Sequence, residues 1–208
     1  CRTPFTLPHV HLKPNMSCFA APKVDKSVTS EEVEACQQAW ADAIVRISKI
    51  HKNGGDFVAA AGQAAGELYG YGHGTVLFKP TKAAEYPFRP LASQAMSYFV
   101  GGSNVTFVSA STSQPAGKKG GMNIRKAEKG YGEDAGFAIN GGKGWEHVEF
   151  QNHQIDCHGE VALAMGTYYF TCATSGDVVK VEYTFGYKRN SDGKVRICLH
   201  HSSVPYAA

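Results

Sequence analysis

The stretch from 145 to 204 constrains the fold more than any other part of the chain. It breaks into four segments, about 145–156, 160–173, 178–189 and 194–204, joined by "DCHGE", "TSGD" and "NSDGK". Gly beside Asp, Ser or Asn is hairpin-turn chemistry, because these residues enter the left-handed backbone region at little cost. Within "DVVKVEYTFGYKR", Val179, Val181, Tyr183, Phe185 and Tyr187 alternate with Lys180, Glu182, Thr184 and Gly186. A period of two marks a strand with two distinct faces. An antiparallel run of such strands needs an apolar cover over one of those faces.

The cover is legible upstream. "TSEEVEACQQAWADAIVRISKIHKNGG" places Val33, Cys36, Trp40, Ala43, Ile44, Ile47 and Ile50 on one stripe at helical spacing. An N-cap candidate at Thr29–Ser30, acids in the first turn and Gly54 at the stop predict a helix over Ser30–Lys52. A second, Ala-rich helix is expected over Asp56–Tyr69, a short strand over Thr75–Thr81 and a third helix over Pro90–Gly102 with proline near its first position. Residues 103–132 are rich in Gly, Ser, Thr and Lys and read as a long loop or insertion, with one strand in "NVTFVSAS". Residues 1–29 read as an extended leader or linker, and 30–208 as one domain. Helices followed by an antiparallel meander make the fold class α+β, a long N-terminal helix on a strongly curved, mostly antiparallel sheet. Such a sheet closes around the helix as a cone with a pocket at its mouth.

Composition narrows the function classes. The formal charge is +3, and only "GKKGG" (Gly117 to Gly121) groups lysines, so no nucleic-acid footprint is expected. No run approaches the roughly 20 apolar residues of a membrane helix. The six cysteines, at 1, 18, 36, 157, 172 and 198, form no CxxC pair and suit a reduced compartment. The chain starts at Cys1, the start expected of a processed or excised piece.

The chain ends in "RICLHHSSVPYAA", where an apolar strand gives way to two histidines and two serines. Alternate residues share a face, so the polar pair on one face is either His200 with Ser202 or His201 with Ser203. The apolar neighbours Ile197 and Leu199 favour burial of the second pair. The nine histidines, His9, His11, His51, His73, His147, His153, His158, His200 and His201, include no set with convincing zinc spacing. "HVH" at His9 and His11 lacks a third ligand and reads as part of a loose arm.

Six strings, "VLFKPTKAAE", "FRPLASQAMSYFVGG", "EDAGFAIN", "ALAMGTYYF", "VEYTFGY" and "LHHSSVPY", occur in an order that resembles the iota-class carbonic anhydrases. These are relatives of the association domain of calcium/calmodulin-dependent kinase II within the NTF2/SnoaL-like cone family. The resemblance covers about Ser30 to Tyr206. It implies a homodimer of cones that reversibly hydrates CO2 to bicarbonate in a pocket lined by hydroxyls and a histidine. Carried over, the family's pocket Thr falls on Thr81 and its pocket Tyr on Tyr98. Alignment with the kinase domain puts that domain's pocket arginine on Ser202, which favours His200 and Ser202 as the inward pair. The resemblance points to algal or cyanobacterial carbon handling, and the start at Cys1 suits a chloroplast protein or one domain cut from a tandem array. It is compatible with metal-free catalysis, so no cofactor is expected, zinc or manganese being the candidates if one were used.

The expected chemistry follows from these groups. Phe78, Phe88, Phe99 and Tyr183 are candidates for an apolar wall against CO2, and Thr81, Tyr98 and Ser202 for a fan of donors to the charge that develops on its oxygens. His201, Ser203 and Thr184 are less central candidates for substrate binding. His200 is expected to take the proton from the attacking water. Two other readings stay open. An NTF2-like isomerase or cyclase commonly uses an Asp/His pair, yet Asp42, Glu67, Glu146, Glu149 and Asp156 form no obvious dyad. A non-enzymatic oligomerisation or ligand-binding module would have the same cone.

Overall fold

The structure, a computed structural model, describes residues 26–108 and 127–207. The expectations for the leader up to residue 25, His9 and His11 included, and for "GKKGG" lie outside the described residues.

Helix α1 spans Ser30–Lys52. Thr29 begins it with a capping box: its hydroxyl accepts from the Glu32 amide, and the Glu32 carboxylate accepts from the Thr29 amide. Arg189 also donates to Glu32 at 2.6 Å, tying the helix start to the far sheet. Val33, Trp40, Ile44 and Ile47 are buried along the predicted stripe, whereas Cys36 is half-buried. Helix α2 (Phe57–Leu68) and helix α3 (Ala92–Val100) complete the cover. The proline expected near the first position of α3, Pro90, lies two residues before that position. Leu91 is the cap, and the Gln94 side chain accepts from its amide at 3.1 Å, closing the turn after Pro90.

Strands β1 (Leu77–Lys79), β4 (Trp145–His158), β5 (Val161–Cys172), β6 (Val178–Arg189) and β7 (Val195–Ser203) form one sheet in the order β1-β7-β6-β5-β4. All neighbours are antiparallel except β1, which pairs parallel to β7. The ends of the 103–132 segment are pinned as a small ladder, β2 (Thr106–Val108) against β3 (Ala127–Lys129). The sheet curls around Trp40, whose ring lies 5.8 Å from those of Phe150, Tyr168 and His200 and 6.3 Å from Phe185. The fold is therefore α+β, a long helix packed in a strongly curved, mostly antiparallel sheet.

The register of β7 decides which histidine faces inward, and a bulge sets it. Gly186 of β6 pairs with Leu199, but the next residue, Tyr187, pairs with Ile197, leaving Cys198 as the extra residue. A bulge reverses the in/out parity beyond it. Ile197 and His200 are thus both buried although they stand an odd number of residues apart. Gly186 permits this, since a Cβ there would meet the Leu199 Cβ at 2.9 Å. The parity argument from Ile197 and Leu199, which favoured His201 and Ser203, fails for this reason.

Candidate active site

Past the bulge, the inner face of β7 carries His200 and Ser202, only 3% and 1% exposed. Their side chains are joined: His200 Nε2 lies 2.9 Å from Ser202 Oγ. From β5, Tyr168 brings its hydroxyl 2.5 Å from Ser202 Oγ and 3.5 Å from His200 Nε2. On the other side of the imidazole, the Tyr69 hydroxyl, just past α2, lies 2.7 Å from Nδ1. The indole of Trp40 donates to that same hydroxyl at 2.9 Å. Phe78 and Phe185 pack on the imidazole at 4.7 and 4.1 Å, so its surroundings are aromatic.

Thr81 follows β1 and is half-buried. Its hydroxyl lies beside the hydroxyls of both Tyr98, on α3, and Tyr168, offsetting part of the effect of burial on each. Burial raises both phenols far above their ordinary range, and it does the same to Tyr69. Burial also holds the His200 imidazole well below its usual pKa, with His201 adding to the effect. At working pH the cluster is accordingly uncharged: neutral imidazole, protonated phenols and aliphatic hydroxyls.

The Tyr98 hydroxyl stands apart from the others. It is buried yet closes no hydrogen bond, although the Thr81 hydroxyl and the amides of Thr81 and Lys82 surround it. Leaving a buried donor unmatched costs about 1–3 kcal/mol. Tyr98 also lines a cleft of about 260 Å³ with Lys82, Glu133, Phe137, Asn140 and Trp145. Thr81, Tyr98, Tyr168, His200 and Ser202 therefore converge in the interior, and of these five Tyr98 also borders the cleft.

The other sequence candidates fall elsewhere. Phe88 is 72% exposed and lines nothing near His200. His201 is exposed and pairs with Thr184 and Lys79 on the outer face, where Ser203 pairs with Glu182. Tyr183 packs its ring on Tyr168, but its hydroxyl turns away and donates to Asn152 Oδ1 at 2.7 Å. Burial pushes that phenol up to about 12. Phe78 and Phe99 form the apolar wall, stacked 5.6 Å apart.

Three groups were missed: Tyr168, Tyr69 and the Trp40 N–H. Tyr168 had a signal. The inner face of β5 reads Ala162, Ala164, Gly166, Tyr168, so Tyr168 is the one large polar-tipped side chain of that inward row. Tyr69 had none, because its approach to His200 depends on how α2 meets the sheet.

A second network holds the pocket rim. The Arg89 guanidinium, fully buried, donates to both Asp134 oxygens at 2.7 and 2.9 Å and to Glu133 at 3.3 Å. Asp134 also accepts from Ser97 Oγ, the neighbour of Tyr98 on α3. Glu133 accepts from the amides of Ala84, Glu85 and Tyr86, in the loop that leads away from Thr81. Burial alone would raise the Glu133 carboxyl, but those amides and Arg89 outweigh it and hold it below its ordinary value.

Residues 31–204 match the family model described as metal-independent carbonic anhydrase. The chain belongs to the metal-independent carbonic anhydrases. A carbonic anhydrase of that description from Nostoc sp. is 33% identical over 193 residues, covering 91% of this chain and 80% of the relative. The crystal structure of the iota-carbonic anhydrase from a cyanobacterium, complexed with bicarbonate, superposes with a TM-score of 0.71 at 32% identity. It covers 91% of this chain and 99% of that one. An NTF2-like superfamily protein from Salmonella enterica is a remoter likeness, with a TM-score of 0.37 at 12% identity, over 86% of this chain and 92% of that one. Among the described residues of this metal-independent carbonic anhydrase, no three His, Cys, Asp or Glu side chains group to hold a metal ion.

Proposed function

We propose that the reversible hydration of CO2 to bicarbonate, the activity of the family to which this chain belongs, takes place where Thr81, Tyr98, Tyr168 and Ser202 converge. The observation that carries this reading is the uncharged set of donors ending in the unmatched Tyr98 hydroxyl. CO2 has no charge and favours the aromatic wall of Phe78, Phe99 and Phe185. As water adds, negative charge grows on the CO2 oxygens, and hydroxyl protons already aimed at the pocket stabilise it with little reorganisation. Holding water and CO2 in one cavity removes much of the entropic cost of their encounter. Neutral donors bind bicarbonate without trapping it, as a reversible reaction requires. No metal enters this scheme, in keeping with the family.

The isomerase reading finds no support at His200. Its neighbours are Tyr69, Tyr168, Ser202 and aromatic rings, with no carboxylate among the described residues that touch it. Loss of ¹⁸O from labelled CO2, followed by mass spectrometry, separates an enzyme from a binding module. Added protein is expected to accelerate label loss in proportion to its concentration; the uncatalysed rate at every concentration would refute the proposal.

Two further proposals concern assembly and place. The outer face carries a row of Leu163, Gly186, Leu199 and Leu77 across four adjacent strands, with Leu77 61% and Leu163 44% exposed. Beside it stands Met165, 49% exposed. An apolar row on an otherwise wet face supports a homodimer packed through this sheet. Met165→Glu is then expected to sediment as a monomer where the native chain sediments as a dimer; equal sedimentation of the two contradicts it. A chloroplast location is proposed from the sequence resemblance alone, and imaging the tagged gene product tests it.

A further inference from the structure

We infer that Trp40 and Tyr69 set the direction of the hydrogen bonds through His200, holding its imidazole with the proton on Nε2, so that it donates to Ser202 and does not accept the proton of the attacking water. The consequence for catalysis rests on the placement of CO2 hydration proposed above; the tautomer itself does not.

The direction begins at a group that has no choice. An indole N–H donates and never accepts. Trp40 Nε1 donates to Tyr69 Oη at 2.9 Å, so that oxygen is an acceptor on the indole side. The phenol has a single proton, and His200 Nδ1, 2.7 Å away, is the other partner shown for it. With a proton on Nδ1, Tyr69 would receive two donors and its own proton would be left buried beside no acceptor, an arrangement folded proteins avoid. Tyr69 therefore donates to a bare Nδ1, and the neutral ring carries its proton on Nε2. That N–H points at Ser202 Oγ, 2.9 Å away. Ser202 and Tyr168 then share the 2.5 Å contact between them, one donating to the other. One hydroxyl proton of that pair stays available to a bound oxygen.

No neighbour favours an imidazolium here. Trp40 faces the ring from α1, Tyr69 from the end of α2, Phe78 from β1, Tyr168 from β5 and Phe185 from β6. His201, on the same strand, would repel a positive charge. Burial acts in the same direction.

A ring that presents N–H to the site has no lone pair for water. The proton must travel through a hydroxyl instead. The water oxygen bonds to the CO2 carbon while its O–H breaks toward a hydroxyl oxygen of the Ser202–Tyr168 pair. That pair delivers its own proton to a CO2 oxygen, as one C=O becomes C–OH. The sum is CO2 plus H2O giving carbonic acid, with no free hydroxide and no net charge in the buried cluster. Carbonic acid then loses a proton to water in the cleft and leaves as bicarbonate. Tyr69 and Trp40 are positioning residues in this scheme; they touch no reacting atom.

The test is a two-bond ¹⁵N–¹H correlation spectrum of protein labelled at histidine, with His200 assigned from a His200→Gln variant. The expected pattern is a protonated Nε2 and a bare, hydrogen-bonded Nδ1, unchanged from mildly acidic to mildly alkaline pH. Tyr69→Phe and Trp40→Phe each remove one link and are expected to give a mixture of tautomers. Tyr69→Phe is expected to lower kcat/KM for CO2 hydration by about 10–100-fold, the scale on which partners that orient a histidine act. A proton on Nδ1 in the native protein, or an imidazolium across that pH range, overturns the inference whether or not either variant folds. So does a CO2 hydration rate that falls with a one-proton slope as His200 titrates. Native protein that hydrates no CO2 would sink the placement of the reaction, yet the spectrum would still report the tautomer.

Discussion

Ser202→Ala lowers kcat/KM for CO2 hydration by on the order of 10²–10³-fold, the usual cost of removing one preorganised donor, while Ser203→Ala leaves it near the native value. The contrast comes from one bulge. Ser202 is 1% exposed and lies within hydrogen-bond distance of both His200 and Tyr168, whereas Ser203 pairs with Glu182 on the outer face. Removing the Ser202 hydroxyl takes out the link between the imidazole and the phenol. The fold should tolerate it, because Tyr168 Oη already lies 3.5 Å from His200 Nε2 and can take over that bond. Stopped-flow measurement of the two variants at matched folded concentration checks the prediction. Equal losses in both would mean that β7 does not present Ser202 to the substrate.

Arg89→Met destabilises the protein by about 3–5 kcal/mol, because it strands the Asp134 carboxylate in the interior without its bidentate partner. Both Asp134 oxygens accept from Arg89, and the side chains of both residues are fully buried. For a chain of this size the melting temperature is expected to fall by on the order of 10 °C. Activity suffers beyond the loss of folded protein, since the same cluster holds the loop after Thr81 through Glu133 and holds α3, next to Tyr98, through Ser97. Arg89→Met/Asp134→Leu should recover part of the stability, as replacing both members of a buried ion pair often does. Thermal melts decide the matter. A single variant as stable as the native chain would show that Asp134 is not held as the geometry requires.

Much of the architecture was legible because the signals were local. The stripe through Val33, Trp40, Ile44 and Ile47, and the alternation through Val181, Tyr183, Phe185 and Tyr187, each state a period that one element alone can satisfy. Thr81, Tyr98, His200 and Ser202, carried over by family resemblance, do come together in the folded chain. What the sequence hid was tertiary. The bulge at Cys198 overturns a parity count that is sound for a regular strand, and only the glycine opposite it hints at the irregularity. Phe88 was placed in the apolar wall on hydrophobicity alone, yet the loop that carries it turns it outward. Trp40 packs in the core, as its place on the apolar stripe predicts; that its N–H also orients Tyr69 depends on how α1 packs against the end of α2. Arg89 and Asp134 carry no local signal, since neither spacing nor composition announces a buried ion pair.

The most direct trial of the account is stopped-flow CO2 hydration by the native chain after exhaustive treatment with a metal chelator. An unchanged rate, absent from Ser202→Ala treated in the same way, is the expected result. A rate that vanishes with chelation and returns on adding zinc or manganese would contradict it.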